Sequence, residues 1–207
     1  MKMEQLIKYK YLNQFAKKGK TLMVGSSLME NFPINELQQS FDVKKIIYNR
    51  GICGIVTNQL LTFMKECIFE LEPSKIFINI GTNDIASPGY TLEGLISNYR
   101  DILTQVKERL PDSSVYVMAY YPVNSVVDYG IPLEDKQDMF KTRTNEVILK
   151  ANKAIEQLAR QFNYEYIDVN QGLMDEEGNL KADFAIEGLH MWPQAYAIIF
   201  KNLIQYL

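Results

Sequence analysis

Five short apolar runs govern what this chain can fold into: "TLMVG" at 21–25, "KKIIYN" at 44–49, "KIFINIG" at 75–81, "SVYVMAY" at 114–120 and "YEYIDV" at 164–169. Most are continuous rather than alternating in hydrophobicity, the pattern of strands buried on both faces of a parallel sheet. Between them the apolar period lengthens to that of helices. Leu60, Leu61, Met64, Cys67, Ile68 and Leu71 make one stripe. Leu95, Ile96, Tyr99, Leu103, Val106 and Leu110 make a second, opened by Thr91 as an N-cap. Ile148, Ala151, Ile155, Leu158, Ala159 and Phe162 make a third; Tyr196, Ile199, Phe200, Leu203, Ile204 and Leu207 make the last, entered through Pro193. Strands alternating with helices of this length form βαβ units, which right-handed crossovers stack into a three-layer α/β/α sandwich.

A length of 207 residues suits one domain over 1–207, with residues 1–20 as an N-terminal helix packed on it. The formal net charge of −3 provides no field to recruit nucleic acid. No run approaches the roughly 20 apolar residues that a bilayer span needs, and no cationic start leads into a signal-like apolar stretch. The expectation is therefore a cytoplasmic protein without stable membrane insertion. Cys53 and Cys67 are too few for a disulfide framework, and one histidine in the whole chain leaves no Cys/His zinc site. Neither a metal nor a cofactor is called for. Residues 1–20 carry six lysines and one glutamate, yet Ile7, Tyr11, Leu12 and Phe15 fall at helical spacing. The reading is an amphipathic helix docked through that stripe with its lysines in water, set against a membrane-surface or RNA-binding tail.

In parallel sheets, function gathers at the carboxyl ends of the strands. The first run ends in Gly25-Ser26-Ser27, the second leads into "NRGICG" (49–54), and the third into "GTND" (81–84). "EGLHMWPQAY" places the sole histidine, His190, just before the last helix. Singly, these are a turn with an N-cap, tight-turn glycines, turn chemistry and a structural histidine. Together they supply what serine hydrolysis requires: a nucleophile, a base, an acid to orient the base, and donors for an oxyanion. The long irregular stretch 121–136 reads as a lid or pocket wall. Tyr120, Tyr121 and Trp192 lie near the expected pocket and are candidates either to line it or to fill the core.

In these four blocks the sequence resembles the SGNH hydrolases, the GDSL-type esterases and lipases, and among them the intracellular acylhydrolases similar in fold to platelet-activating-factor acetylhydrolase. That family has, in fixed order, a strand ending in GDS, a glycine-containing block, GxND, and DxxH near the C-terminus. The resemblance implies a five-stranded parallel sheet in the flavodoxin-like order 2-1-3-4-5. It also implies Ser27 as nucleophile and His190 as general base. The implied oxyanion donors are the N–H of Ser27, the N–H of Gly54 and the side-chain amide of Asn83. Gly54 is preferred to Gly51 because the family's donor lies five residues after the block's asparagine; Gly51 is left to the turn, and Asp84 to fixing the loop that presents Asn83.

Two positions depart from the pattern. Ser26 stands where the family has aspartate, so support for that loop must come from a hydroxyl or from elsewhere. The triad acid is Glu187 rather than aspartate, with Asp183 the competing carboxylate. The activity implied is cleavage of short-chain acyl or acetyl esters of lipid or sugar alcohols through an acyl-enzyme. The partner is a small-molecule ester; a homo-oligomer is compatible with the sequence. The alternatives are a non-catalytic module binding an ester, glycan or lipid on the same fold, and a flavodoxin-like nucleotide or FMN binder.

Overall fold

The computed structural model describes residues 2–207. Its strands are β1 (Thr21–Gly25), β2 (Ile47–Gly51), β3 (Lys75–Asn79), β4 (Ser114–Met118) and β5 (Glu165–Ile167). All pairings are parallel and the spatial order is β2-β1-β3-β4-β5, as the resemblance implies. Every residue of β1 is buried, whereas β2 and β5 at the sheet edges are partly open. Register places Thr21 opposite Ile47 and Lys75, and Gly25 opposite Gly51 and Asn79. Three strand ends therefore finish level, and the loops that follow them leave from one rim.

The helices are α1 (Lys2–Asn13), α2 (Ser27–Glu30), α3 (Ile34–Ser40), α4 (Thr57–Cys67), α5 (Thr82–Ile85), α6 (Leu92–Arg109), α7 (Leu133–Phe140), α8 (Asn145–Gln161) and α9 (Pro193–Leu203). Right-handed crossovers from β2 to β3, β3 to β4 and β4 to β5 put α4, α6 and α8 on one face of the sheet. The reversed step from β1 to β2 sends α2 and α3 to the other face, where α9 joins them. Phe32 packs against Tyr196 with ring centroids 4.9 Å apart, and Phe41 against Phe200 at 5.6 Å. The stripes read from the sequence face the core: Leu60, Met64, Leu95, Tyr99, Leu103, Ile148, Ile155, Tyr196 and Phe200 are all buried. Thr91 caps α6 by accepting from the Gly94 N–H at 3.0 Å, and Pro193 opens α9.

Two expectations are corrected. The second strand runs over 47–51 rather than 44–49, because β1 offers partners as far as Gly25, so Asn49, Arg50 and Gly51 belong to the strand and not to the loop after it. The N-terminal helix is present, but Ile7, Tyr11, Leu12 and Phe15 point outward, Phe15 with 84% of its surface exposed. The helix docks instead through Tyr9 and Asn13. The Tyr9 hydroxyl donates to the Gly51 carbonyl, and Asn13 Nδ2 donates to the Glu66 carbonyl and the Glu70 carboxylate, both at 2.8 Å. The Arg50 guanidinium lies over the Tyr9 ring, 4.8 Å from its centroid. A polar and aromatic seam, invisible to a count of apolar residues, decides which face is buried.

Candidate active site

β1 ends at Gly25, where a Cβ would lie 2.1 Å from the Asn79 carbonyl oxygen, so the tight junction of β1 and β3 requires glycine. The chain turns at Ser26, still extended, and α2 starts at Ser27. Being the first residue of the helix, Ser27 has a backbone N–H with no intrahelical acceptor. Its side chain meets the loop before α9, 163 residues away. Ser27 Oγ lies 2.8 Å from His190 Nε2. The other ring nitrogen, Nδ1, is hydrogen-bonded to Glu187 Oε1, which also accepts the His190 backbone N–H at 3.1 Å. Ser27 is buried, and His190 and Glu187 are half-buried.

Of the two competing carboxylates, only Glu187 is brought to the imidazole. Asp183 is exposed, and its backbone carbonyl accepts from Gln194 Nε2. Burial pushes the Glu187 carboxyl up, but the hydrogen bond and charge of His190 outweigh it and hold the group below the ordinary glutamate value. An ionised Glu187 fixes the ring with its proton on Nδ1, leaving Nε2 to accept from the serine hydroxyl.

The second and third loops are tied to this centre by hydrogen bonds. Asn49 Nδ2 donates to the Met29 carbonyl at 2.6 Å, and the Cys53 N–H donates to the Glu30 carboxylate. These bonds take over the support that Ser26 does not give, since its buried Oγ has no partner among the described residues. Gly51 serves close packing rather than a turn, because a Cβ there would lie 2.2 Å from the Glu30 nitrogen. Gly54, by contrast, needs its glycine backbone, with φ at +71°. Among the described residues the N–H groups of Ser27 and Gly54 have no acceptor. Asn83 Nδ2 donates one hydrogen to the Ile55 carbonyl at 3.0 Å, next to Gly54, and keeps a second. The Asp84 carboxylate accepts from the Thr57 N–H and hydroxyl, pinning the Asn83 loop to the start of α4.

Tyr120 and Tyr121 are core residues, the Tyr120 hydroxyl donating to the Ile80 carbonyl, while Trp192 is half exposed at the start of α9. The 121–136 stretch packs on the histidine loop, the Asn124 N–H donating to the Gly188 carbonyl at 2.7 Å. Together with α7 it walls a cavity of about 570 Å³ lined by Ser125, Leu133, Lys136 and Phe140 among others. Sequence reasoning did not single out Arg143, which is buried beside Asn83. It stands in "KTRTNEV", ordinary helix-start sequence, and only the tertiary fold carries it to the third loop.

A model of the GDSL-like lipase/acylhydrolase family matches residues 25–198. Among curated proteins, an N-acylneuraminate cytidylyltransferase of Escherichia coli O18:K1:H7 (strain RS218 / NMEC) is 24% identical over 200 residues, which make up 93% of this chain and 41% of that protein. The chain thus spans about two fifths of the curated relative it matches. Among solved structures, a Streptococcus pneumonia protein described as a candidate platelet activating factor superposes with a TM-score of 0.86 at 30% identity, covering 99% of this chain and 92% of its own. A catalytic mutant of an acetylxylan esterase from Geobacillus stearothermophilus gives a TM-score of 0.67 at 14% identity, covering 91% and 94%, a likeness of fold.

Proposed function

The chain belongs to the GDSL-like lipase/acylhydrolase family; from that premise we propose that it is a carboxylic-ester hydrolase, cleaving short-chain acyl or acetyl esters of sugar or lipid alcohols through an acyl-enzyme on Ser27. The observation that carries the reading is the continuous chain of contacts from Ser27 Oγ through His190 to Glu187.

In the proposed cycle, Ser27 Oγ attacks the ester carbonyl carbon as His190 Nε2 takes its proton, and Glu187 steadies the imidazolium. The oxyanion is received by the N–H of Ser27, the N–H of Gly54 and the second Nδ2 hydrogen of Asn83. Each such preorganised donor contributes about 2.7–4 kcal/mol to lowering the barrier. The proton passes from His190 to the departing alcohol as the carbon–oxygen bond breaks. Water then attacks the acyl-enzyme, gives its proton to His190, and releases the acid with Ser27 restored.

The cavity beside α7 adjoins the histidine loop, where the Phe140 ring crowds Gly188, and we assign it to the variable part of the substrate. A sugar alcohol fits the names of two similar proteins, one acting on an acylneuraminate and the other on acetylxylan. The test is a screen of acyl chain length against alcohol type on the purified protein, with Ser27→Ala in parallel. Turnover of acetyl esters, lost in Ser27→Ala, is the expected result. Equal turnover by both proteins would remove Ser27 from the mechanism, and no turnover of any ester by the wild type would return the fold to a binding role.

A further inference from the structure

Among the described residues two guanidinium groups are buried, those of Arg50 and Arg143, each with 5% of its surface exposed, and neither forms an ion pair. A buried charge without a salt bridge is costly and calls for a local reason. Arg50 has one: Nε and Nη2 donate to Asn13 Oδ1 at 3.0 and 2.8 Å, Nη1 donates to the Asn49 carbonyl, and the rings of Tyr9 and Tyr48 lie against it. These contacts fasten α1 to β2. Arg143 has no aromatic partner among the described residues, and the opposite charge that acts on it, the Glu187 carboxylate, lies beyond salt-bridge reach. Its Nε donates to the Thr82 carbonyl at 3.0 Å and its Nη2 to Asn83 Oδ1 at 3.2 Å.

We propose that Arg143 is a positioning residue for the ester-hydrolysing site, locking the Asn83 carboxamide so that one Nδ2 hydrogen is held for the oxyanion. The inference rests on the function proposed above. A carboxamide fits its surroundings in two orientations of nearly equal shape. In the observed one, Oδ1 accepts from Arg143 and Nδ2 donates to the Ile55 carbonyl. A flip would set Oδ1 against the Ile55 oxygen and the amino group against the guanidinium, replacing two hydrogen bonds with two repulsions. With the carbonyl end occupied and one amino hydrogen committed, a single donor remains. The cation at Oδ1 also draws electron density from the amide and strengthens that donor.

The brace comes from outside the loop it steadies. Arg143 precedes Thr144, the N-cap of α8, and the Thr142 hydroxyl donates to the Ile85 carbonyl at 2.6 Å. Residues 142 and 143 thus clasp α5 at both ends, and the Asn83 amide is preorganised before substrate arrives, which is the condition under which an oxyanion donor is most effective.

The experiment is a double-mutant cycle on p-nitrophenyl acetate, with melting temperatures recorded for each variant. Arg143→Met is expected to lower kcat by about tenfold or more with KM within about twofold, as partial loss of one oxyanion donor requires. In an Asn83→Ala background the same change is expected to cost less than about threefold, because its target is gone. Arg143→Lys, which cannot span Thr82 and Asn83 with one nitrogen, serves if Arg143→Met fails to fold, and is expected to fall between wild type and Arg143→Met. Equal losses in both backgrounds, or a raised KM with kcat intact, would overturn the inference while leaving the hydrolase reading in place. A wild type without Ser27-dependent turnover would overturn both.

Discussion

At the scale of single residues, the site depends on the spacing of Glu187 and His190. Three residues apart, the glutamate reaches both the ring Nδ1 and the backbone N–H of His190, so one carboxylate sets the conformation of the loop and the tautomer of the imidazole. Glu187→Gln keeps an acceptor for the backbone but removes the charge that steadies an imidazolium. It is expected to lower kcat/KM by about 10²–10⁴-fold, against less than about twofold for Asp183→Ala, measured on p-nitrophenyl acetate. The pH dependence has a definite sign. Because the folded Glu187 carboxyl titrates below the ordinary value of 4.5, its contribution to stability is present above that value and is lost as pH falls through the folded pKa. Wild type should therefore lose more melting temperature than Glu187→Gln on acidification from about pH 5 to about pH 3. The parts of the proposed triad were legible because hydrolytic chemistry restricts residue type and the family fixes their order. Arg143 was not, since its role depends on where Asn83 Oδ1 lies in space.

At the scale of elements, the decisive junction is the end of β2 against α2. A methyl group on Gly51 would lie 2.2 Å from the Glu30 nitrogen and 2.6 Å from its Cα, backbone that cannot move without shifting the helix begun by Ser27. Gly51→Ala is expected to cost about 1–3 kcal/mol in urea unfolding and to lower kcat as well, whereas a stability loss with full activity would separate this junction from the site. The internal strands were legible because burial on both faces demands continuous apolar residues: "TLMVG" coincides with β1, and β3 and β4 start where their runs start. β2 was misplaced by three residues at its start because hydrogen bonding to β1, rather than hydrophobicity, carries it through Asn49 and Arg50. The docking face of α1 was reversed for a related reason. Tyr9 and Asn13 find specific partners on β2 and α4, and those bonds outweigh the stripe of Ile7, Tyr11 and Phe15.

At the scale of the whole molecule, one layered core holds the four loops at one rim, and among the described residues no helix is long and apolar enough to cross a membrane. That core also confines many phenols. Burial pushes Tyr9 up to about 12 and raises Tyr99, Tyr120, Tyr121 and Tyr196 further, whereas in the unfolded chain they ionise near 10.0. A raised folded value keeps stability intact below the unfolded pKa and removes it as pH rises through the folded one. Each phenol that ionises only on unfolding removes about 1.4 kcal/mol per pH unit. Melting temperatures should hold from about pH 8 to about pH 9.5 and drop steeply by about pH 11; a flat profile would mean that these hydroxyls are solvated. The central claim, that four separated segments make Ser27 a nucleophile, is tested most directly by labelling the native protein with an organofluorophosphonate and mapping the adduct by peptide mass. A single adduct on Ser27, absent after denaturation and strongly reduced in His190→Ala, is the predicted result. An unlabelled protein, or an adduct on another residue with Ser27 untouched, would contradict it.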